Sequence, residues 1–386
     1  MMAIALLWTA VVSWFLIRAV TPFRHYEMLR PNGSSSPANS RAVTVIVPAR
    51  NEAANIGRCI RRLLTQDYPN LEILVVNDNS SDHTGTIVSD LACFDPRLRL
   101  LHSGGLPLGW AGKPHACCQG ARASNAGWLC FMDADTIAEP GLIAAAVKAA
   151  EERHFDMLSL EPFQELGGFW ERLIIPAGFF LLAFQSDLRR VNDPACSDAA
   201  ANGQFILIRR HVYEKVGGHA AVCDEICEDT ALARRVKGAG HRLAVLGAAE
   251  LVRTRMYTNL ESLWEGLSKN VVEMLGGTCG ALLAALAAFA LGWVTALLPL
   301  WAWHQGSIAA ACVISLASLA LAATHVSGAV YFGIPFFYGL LFPVGYTMGG
   351  LIALNSIWLR WNNRVAWKGR IYTTPAAIKP AQWTPL

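Results

Sequence analysis

Four long apolar segments constrain the fold of this chain more than any other feature of its sequence. They cover residues 2–19, 276–303, 307–331 and 336–359. A stretch of about 20 apolar residues is long enough to cross the hydrocarbon core of a bilayer as a helix. The chain as a whole is 53% hydrophobic and only 16% charged, a composition that is too apolar for an ordinary soluble protein. We therefore expect an integral membrane protein with transmembrane α-helices.

The first segment, within residues 1–20, is predicted to be a membrane anchor. A signal peptide is the alternative, but its basic residues would precede the apolar run, whereas Arg18, Arg24 and Arg30 follow it here. This basic flank places the next domain on the cytoplasmic side, which for a bacterial protein means the inner membrane. Residues 21–40, rich in Pro, Ser and Asn towards their end, are predicted to form a linker.

The last three apolar segments predict a transmembrane region, residues 271–359, followed by a basic cytoplasmic tail, residues 360–386. The tail contains Arg360, Arg364, Lys368, Arg370 and Lys379. Three full crossings would place this tail opposite the N-terminal domain, whereas its excess of Lys and Arg favours the cytoplasmic side. One of the three segments is therefore expected to be re-entrant or interfacial, and the sequence leaves open which one.

Net charge and cysteine usage argue against a nucleic-acid-binding protein and against a structural zinc protein. The formal charge of +3 is small and the basic residues are dispersed, which gives no reason to expect a nucleic acid as partner. The ten cysteines include no Cys-x-x-Cys pair, so we expect reduced thiols in a cytosol-like compartment. Cys223 and Cys227 lie four apart but lack the second Cys or His pair of a structural zinc site.

Between the membrane segments, residues 41–270 are predicted to form one α/β domain. Apolar runs that suit buried strands alternate with helical patterns, which is typical of a doubly wound, Rossmann-like, mostly parallel sheet. The predicted strands are 43–47, 72–76, 98–102, 128–132, 157–160, 204–208 and 242–246. Residues 169–185 are interrupted by Pro176 and Gly178, so we expect this segment to lie on the membrane surface as an amphipathic helix.

Two aspartates mark the predicted functional edge of this sheet. Asp133 and Asp135 follow the strand 128–132 directly, and ligands of open α/β sheets bind at the carboxyl ends of the strands. Carboxylates that close together repel each other unless a cation holds them, and oxygen ligands suit Mg²⁺ or Mn²⁺. The alternative is structural: Asp133 caps the next helix and Asp135 is a solvated loop residue.

Two further loops contain residues suited to a nucleotide. Asp78 follows the strand 72–76, where a carboxylate can accept hydrogen bonds from a base or a ribose, although the same residues suit an ordinary turn. Lys113 offers a charge for phosphate, but Pro107 and Pro114 exclude a P-loop. Trp110 suits either stacking on a sugar or packing of the loop, and both interpretations stay open.

Glu228 and Asp229 begin an amphipathic helix. Two acidic residues in the first turn of a helix stabilise its dipole, which is the structural interpretation. In the functional interpretation, Asp229 is a general base that removes a proton from an attacking hydroxyl group.

The order of these motifs is more specific than any one of them. Val-Pro-Ala-Arg-Asn-Glu, Asn-Asp-Asn-Ser-Ser-Asp, Gly-Lys-Pro, Asp-Ala-Asp, Asn-Gly-Gln-Phe and Glu-Asp-Thr occur in that order within residues 43–270. This series resembles the family 2 glycosyltransferases, which have a GT-A fold. The anchor, the three C-terminal segments and the tail motif Trp-Lys-Gly-Arg-Ile-Tyr at 367–372 further resemble the hopene-associated branch and, more distantly, ceramide glucosyltransferase.

The resemblance implies a role for each motif. Nucleotide-sugar binding is implied for Pro48, Glu52, Asp78, Lys113, Asp133 and Lys269. Metal binding is implied for Asp133 and Asp135, catalysis for Asp229 with Glu228, and the acceptor side for Trp110, Asn202, Gly203 and Gln204. Lys269 stands where processive relatives have the arginine of Gln-x-x-Arg-Trp, without the tryptophan, which argues against polymer synthesis. Lys269 suits a phosphate contact or a snorkelling residue at the membrane edge equally well.

The function implied by the resemblance is inverting transfer of a sugar from a nucleotide sugar, with UDP as the expected nucleotide, to a hydroxyl group of a membrane lipid. A hopanoid-related lipid is expected from the branch, and transfer to a polyprenyl phosphate is an alternative. Two alternatives come from other classes: a haloacid-dehalogenase-type phosphatase with Asp133 as nucleophile, and a non-catalytic membrane scaffold.

Overall fold

The computed structural model describes residues 1–24, 26–31, 41–185 and 187–372. Half of the predicted linker, and the part of the predicted basic tail that contains Lys379, lie outside these residues. The described residues form two compact units. The sheet unit comprises residues 26–31, 41–164 and 188–255, and the apolar unit comprises residues 1–24, 165–185, 187 and 256–372.

A seven-stranded sheet lies at the centre of the sheet unit. Its strands are β1 (Val43–Ala49), β2 (Leu71–Asn77), β3 (Leu98–His102), β4 (Trp128–Met132), β6 (Met157–Glu161), β8 (Phe205–Arg209) and β9 (Leu243–Gly247), in the order β3-β2-β1-β4-β8-β6-β9. Strand β8 runs antiparallel to both of its neighbours, and the other paired strands run parallel. The prediction of a mostly parallel α/β sheet is confirmed, and every predicted strand overlaps an observed one.

Helices cover both faces of this sheet, because each strand alternates apolar side chains between two cores. Val45, Trp128 and Leu158 pack into one core, whereas Ile46, Leu129 and Ile206 pack into the other. The helices of the sheet unit are α2 (Ile56–Leu63), α3 (Thr84–Ala92), α4 (Gly112–Arg122), α5 (Leu142–Glu152), α7 (Leu188–Asn192), α8 (Arg210–Lys215) and α9 (Glu228–Gly238), with a 3₁₀ helix at Gly218–Val222.

A second, small sheet in the sheet unit was not predicted from the sequence. It consists of β5 (Thr136–Ala138), β7 (Phe163–Gln164) and β10 (Val252–Thr254), with β10 in the middle. Two or three residues are too short for an alternating pattern to stand out from the background. Because β5 starts immediately after Asp135, this small sheet holds the chain in place directly after the aspartate pair.

The apolar unit is helical. Its helices are α1 (Met2–Arg24), α6 (Phe169–Gln185), α10 (Leu260–Met274), α11 (Thr278–Phe289), α12 (Thr295–His304), α13 (Ile308–Tyr331), α14 (Phe337–Leu340) and α15 (Phe342–Trp361), and a π-helical turn, Ala290–Val294, joins α11 to α12. A hairpin of β11 (Val365–Trp367) and β12 (Arg370–Tyr372) follows them.

Among the described residues, three helical segments are long and apolar enough to cross a membrane: Met2–Thr21, Thr278–His304 and Ile308–Tyr331. The third predicted C-terminal segment, 336–359, instead breaks between α14 and α15 at Leu341. This segment also contains Asn355 and Ser356, which lower its hydropathy.

The compact units differ in two segments from the predicted domain boundaries. Residues 169–185, predicted to lie on a membrane surface, and residues 256–270, predicted as the last part of the α/β domain, both pack within the apolar unit. The reason is burial of apolar side chains: Leu173 and Ile174 of α6 and Leu263 of α10 share one buried cluster.

Candidate active site

The predicted site lies at the carboxyl edge of the central sheet, where β4 ends at Met132. Leu129 and Phe131 of β4 pack on the core face that is shared with α4 and α9, so strand alternation places the Asp133 side chain on that face as well. Asp133 and Asp135 are both half-buried, and the backbone carbonyl of Asp135 accepts a hydrogen bond from Thr254 Oγ1 of β10 at 3.4 Å. The short sheet therefore holds the turn that carries both carboxylates.

Lys113 connects the aspartate pair to the acidic helix. Its Nζ lies 2.7 Å from Asp133 Oδ1 and 2.8 Å from Glu228 Oε1. It reaches them from the first turn of α4, whose preceding residue, Ala111, donates its backbone N–H to the carbonyl of Cys223 at 2.6 Å. Distances of this length are typical of charge-assisted hydrogen bonds. One ammonium group therefore joins residues from three separate parts of the sequence.

Asp229 is held in place by two backbone amides. Its Oδ2 accepts a hydrogen bond from Gly203 N at 2.8 Å, and its Oδ1 accepts one from Thr230 N at 2.7 Å. A Cβ atom on Gly203 would lie only 2.8 Å from Lys113 Nζ and 3.1 Å from Asp229 Oδ2. The lack of a side chain at residue 203 thus allows Lys113 and Asp229 to approach the same point.

The charges in this cluster shift the pKa values of its members. Burial, reinforced by the neighbouring Glu228 carboxylate, raises the pKa of Asp229 to about 6. Burial alone would lower the pKa of Lys113, but Asp133, Glu228 and Asp229 outweigh this effect and raise it well above the ordinary value. Lys113 therefore stays charged, while Asp229 is a stronger base than an exposed aspartate.

Two loops at the same edge, after β1 and β2, hold the residues predicted to border the nucleotide. Arg50 Nη1 donates to the backbone carbonyls of Asp78 and Asn79, each at 2.9 Å, and Asn51 Oδ1 accepts from Ser81 N at 2.8 Å. Asn51 and Asn79 both have φ near +50°, in the left-handed region that asparagine tolerates. These contacts tie the two loops into one platform.

The side chains of this platform have different environments. Asp78 is buried and its Oδ1 accepts a hydrogen bond from Ser103 Oγ at 3.1 Å. Glu52 is half-buried and accepts from Asn55 Nδ2 at 2.9 Å. Pro48 is half-buried in β1, opposite Val76 of β2. All three lie at the carboxyl edge, and their predicted contacts with a nucleotide stay predictions.

The predicted acceptor-side residues have structural contacts of their own. Asn202 Oδ1 accepts from Gln204 N at 3.0 Å, and Gln204 Oε1 accepts from Gln164 Nε2 at 3.3 Å in a buried pair. Trp110 is half-buried, with its ring 5.5 Å from that of His115 in an edge-to-face arrangement. Asn202 and Gln204 thus shape the loop that presents the Gly203 amide to Asp229.

Lys269 belongs to α10 of the apolar unit. Its Nζ lies 4.8 Å from the centre of the Trp367 ring in the C-terminal hairpin, a cation–π distance. The phosphate contact predicted for Lys269 stays a prediction.

The donor set at Asp133 and Asp135 fits a hard divalent cation that is shared with a diphosphate. Within the described ranges, no group of three or more His, Cys, Asp or Glu side chains is arranged to hold a metal ion alone. Mg²⁺ and Mn²⁺ sites in phosphate-transfer enzymes commonly use one or two carboxylates and complete their shell with phosphate oxygens and water. Two aspartates at this edge suffice for such a site.

Residues 44–217 match the family described as Glycosyl transferase family 2. Residues 44–217 therefore form a glycosyl transferase family 2 domain. This match decides against the haloacid-dehalogenase-type phosphatase as an alternative.

Relatives agree with the family and the fold. A 4,4'-diaponeurosporenoate glycosyltransferase of Staphylococcus aureus strain MRSA252 is 26% identical over 273 residues, which cover 68% of this chain and 69% of the relative. The counterpart from strain USA300 is 25% identical over the same length. A mannosyltransferase from Pyrobaculum calidifontis, in complex with GDP-Man and Mn²⁺, superposes with a TM-score of 0.54 at 19% identity, covering 92% of this chain and 97% of that one. The predicted GT-A fold is thereby confirmed.

The sequence does not point to two contributors to the site, or to one contact of a third. Gly203 is predicted for the acceptor side, and the structure shows in addition the space that it leaves for Lys113. Arg50 and Ser103 were not singled out, although they hold the backbone and the carboxylate of Asp78, respectively. No local pattern marks these contacts, because each joins loops at least 25 residues apart.

Proposed function

We propose that this glycosyltransferase transfers one sugar from a nucleotide sugar, with UDP as the nucleotide, to a hydroxyl group of a membrane lipid, with inversion at the anomeric carbon. One observation carries the proposal: two backbone amides fix the Asp229 carboxylate beside Lys113, which in turn contacts Asp133. A base and a cation on one sheet edge are what a displacement at the anomeric carbon requires.

The displacement uses Asp229 as the general base. Asp229 takes the proton of the acceptor hydroxyl group as its oxygen forms a bond to the anomeric carbon. The bond from that carbon to the diphosphate breaks on the opposite side, and the nucleoside diphosphate leaves with the electron pair. A raised pKa favours this role because a stronger base is better matched to a proton transfer near neutral pH. General bases contribute about 10²–10⁴-fold to such rates.

The reaction must also stabilise the negative charge that develops on the departing diphosphate. Lys113 supplies a fixed positive charge next to Asp133, and preorganised charge of this kind is usually the larger contribution to catalysis. Asp133 and Asp135 would hold a divalent cation, Mg²⁺ or Mn²⁺, which supplies Lewis-acid neutralisation of the diphosphate when bound. Lys113 contacts Asp133 and Glu228, so donor binding replaces or extends these contacts.

A lipid acceptor is supported by two observations. The Staphylococcus relative is named for diaponeurosporenoate, a lipid-like acceptor, and three helical segments in the described part of this chain are long and apolar enough to cross a membrane. A hopanoid-related lipid remains our working acceptor because of the branch that the sequence resembles. We place the protein in a bacterial inner membrane with the catalytic domain in the cytoplasm, because basic residues flank the N-terminal anchor on the side of the catalytic domain.

The direct test is transfer of label from a sugar nucleotide to lipid. Purified membranes containing the protein are incubated with a panel of labelled UDP-sugars and GDP-mannose, and the lipids are extracted and separated. We expect label in a neutral glycolipid, with the anomeric configuration inverted relative to the donor by NMR. Label in an acid-labile phospholipid would instead indicate a polyprenyl phosphate acceptor, and retained configuration would refute the displacement by a single base.

A further inference from the structure

The connection between β3 and α4, residues 103–111, exposes a patch of apolar side chains. Its sequence, Ser-Gly-Gly-Leu-Pro-Leu-Gly-Trp-Ala, contains no charged residue. Leu108 is 84% exposed and Pro107 is exposed as well. Leu106 and Trp110 on either side of them are half-buried. Single exposed apolar side chains are ordinary, but neighbouring ones that form a patch indicate an interaction surface. We call residues 103–111 the apolar loop.

Hydrogen bonds hold both ends of the apolar loop at the carboxyl edge of the central sheet. At its start, Ser103 Oγ donates to Asp78 Oδ1 at 3.1 Å. At its end, the backbone N–H of Ala111 donates to the carbonyl of Cys223 at 2.6 Å. Lys113 follows two residues later, in the first turn of α4. The loop therefore begins beside a predicted nucleotide-binding residue and ends at the catalytic cluster.

The tip of the apolar loop is a tight turn. The backbone N–H of Trp110 donates to the carbonyl of Pro107 at 3.2 Å, and Gly109, the third residue of the turn, has a φ of +82°. Glycine suits this position because it adopts a left-handed φ without steric cost. The Trp110 ring packs edge-to-face against His115, with 5.5 Å between the ring centroids. The turn is thereby anchored at Trp110 and leaves Leu108, its second residue, exposed at the tip.

A lipid bilayer is the apolar partner that suits this tip. Three helical segments in the described part of the chain are long and apolar enough to cross a membrane, and the first of them ends at Thr21. Tyr26, five residues later, begins the sheet unit. Five residues of extended chain cover at most about 18 Å, so the sheet unit is tethered close to the bilayer.

The chemistry of the apolar loop also favours lipid over a partner that is held by charge. A nucleic acid or a charged protein surface would need Lys, Arg, Asp or Glu side chains, and the loop contains none. Leu and Trp side chains are the ones that enter the boundary between headgroups and hydrocarbon in proteins that lie on membranes. The exposed tip therefore fits the surface of a bilayer.

We propose that the apolar loop inserts Leu108 into the surface of the bilayer and so holds the catalytic edge at the lipid that contains the acceptor. The insertion itself depends on the loop alone. The delivery of the acceptor rests on the proposed function. Because the loop leads directly to Lys113, removing its tip from the bilayer separates the catalytic cluster from the acceptor and leaves the nucleotide site unchanged.

Photo-crosslinking tests the insertion without using activity. The photoreactive residue p-benzoylphenylalanine is introduced at position 108 of the full-length protein, which is reconstituted in vesicles of phosphatidylethanolamine and phosphatidylglycerol and irradiated. Position 94 is the matched control, because Phe94 is 87% exposed but precedes β3 and so lies at the opposite, amino edge of the sheet. We expect a lipid adduct at position 108 and only the non-irradiated background at position 94, both measured by mass spectrometry. No adduct at position 108, or equal adducts at the two positions, would overturn the proposal.

Transfer kinetics test the consequence for the reaction. Leu108→Gln keeps a side chain of similar size but makes it polar, so we expect kcat/KM for the lipid acceptor to fall about tenfold. The affinity for UDP, measured by calorimetry with Mn²⁺, should stay within about twofold of wild type. Phe94→Gln should leave both quantities unchanged.

The two experiments separate failure of the insertion from failure of the proposed function. A loss of UDP affinity in Leu108→Gln as large as the loss of kcat/KM would place the loop in the nucleotide site and overturn the proposal. An unchanged kcat/KM would overturn the role of the loop in presenting the acceptor. If the adduct forms at position 108 but wild type transfers no sugar, the insertion stands and the proposed function fails. Sugar transfer without an adduct gives the reverse result.

Discussion

Replacing Gly203 with alanine tests the geometry of the site with a single methyl group. Gly203 does not have a positive φ, so alanine fits the backbone, but its Cβ would lie 2.8 Å from Lys113 Nζ. Non-bonded contacts of this kind need about 3.5 Å, so Lys113 must withdraw by more than about half an ångström. It then cannot keep both of its contacts, 2.7 Å to Asp133 and 2.8 Å to Glu228.

We expect this displacement of Lys113 to lower kcat and to leave the thermal stability nearly unchanged. Loss of one preorganised group that stabilises developing charge lowers kcat about 10²-fold, or about 2.7 kcal/mol. The lysine end is flexible, so we expect the Tm to stay within about 3 °C of wild type. The assay is initial-rate transfer of labelled sugar to lipid, with thermal unfolding measured in parallel.

Gly238→Ala is the matched control for Gly203→Ala. Residue 238 is the last residue of α9, and a Cβ atom there would meet nothing within 4 Å. The kcat of the Gly238→Ala variant should equal that of wild type. A Gly203→Ala variant with kcat within twofold of wild type would refute the inferred role of Lys113, and a large fall in Tm would show that residue 203 acts on folding.

Three further predictions concern the base, its neighbour and the cation. Asp229 must be ionised to accept a proton, so kcat/KM should fall as the pH drops below about 6, and a flat profile from pH 5 to pH 8 would contradict its role. Burial is the larger cause of the raised pKa and Glu228 adds to it, so Glu228→Gln should shift this limb to lower pH; a shift to higher pH would show that Glu228 does not act on Asp229 in this way. Asp135→Ala should weaken Mn²⁺-dependent UDP binding at least about tenfold in calorimetry without affecting binding in EDTA, and equal affinities with Mn²⁺ would exclude Asp135 as a ligand.

The sequence predicted the sheet well because each central strand is a short apolar run with clear boundaries. Asp133 illustrates why the edge was predictable: an acidic residue directly after a buried strand must lie at the end of that strand. Asp229 was predictable in the same way, because acidic residues directly before the apolar residues of an amphipathic helix must lie in its first turn. Both predictions depend only on neighbours in sequence.

Features that depend on distant partners were not predictable in this way. The space at Gly203 has a meaning only because Lys113, 90 positions earlier, points towards it. Lys269 was considered as a phosphate contact or a snorkelling residue, and its ring partner, Trp367, lies almost a hundred residues away. The packing of α6 within the apolar unit likewise follows from burial against helices that come much later in the chain.

The rate of sugar transfer by Asp229→Asn tests the central claim most directly. The substitution keeps the size of the side chain but removes the basic oxygen, so binding of UDP should stay within about twofold of wild type while transfer to lipid falls by about 10²–10⁴-fold. Transfer by this variant at the wild-type rate, with UDP bound normally, would show that Asp229 is not the base.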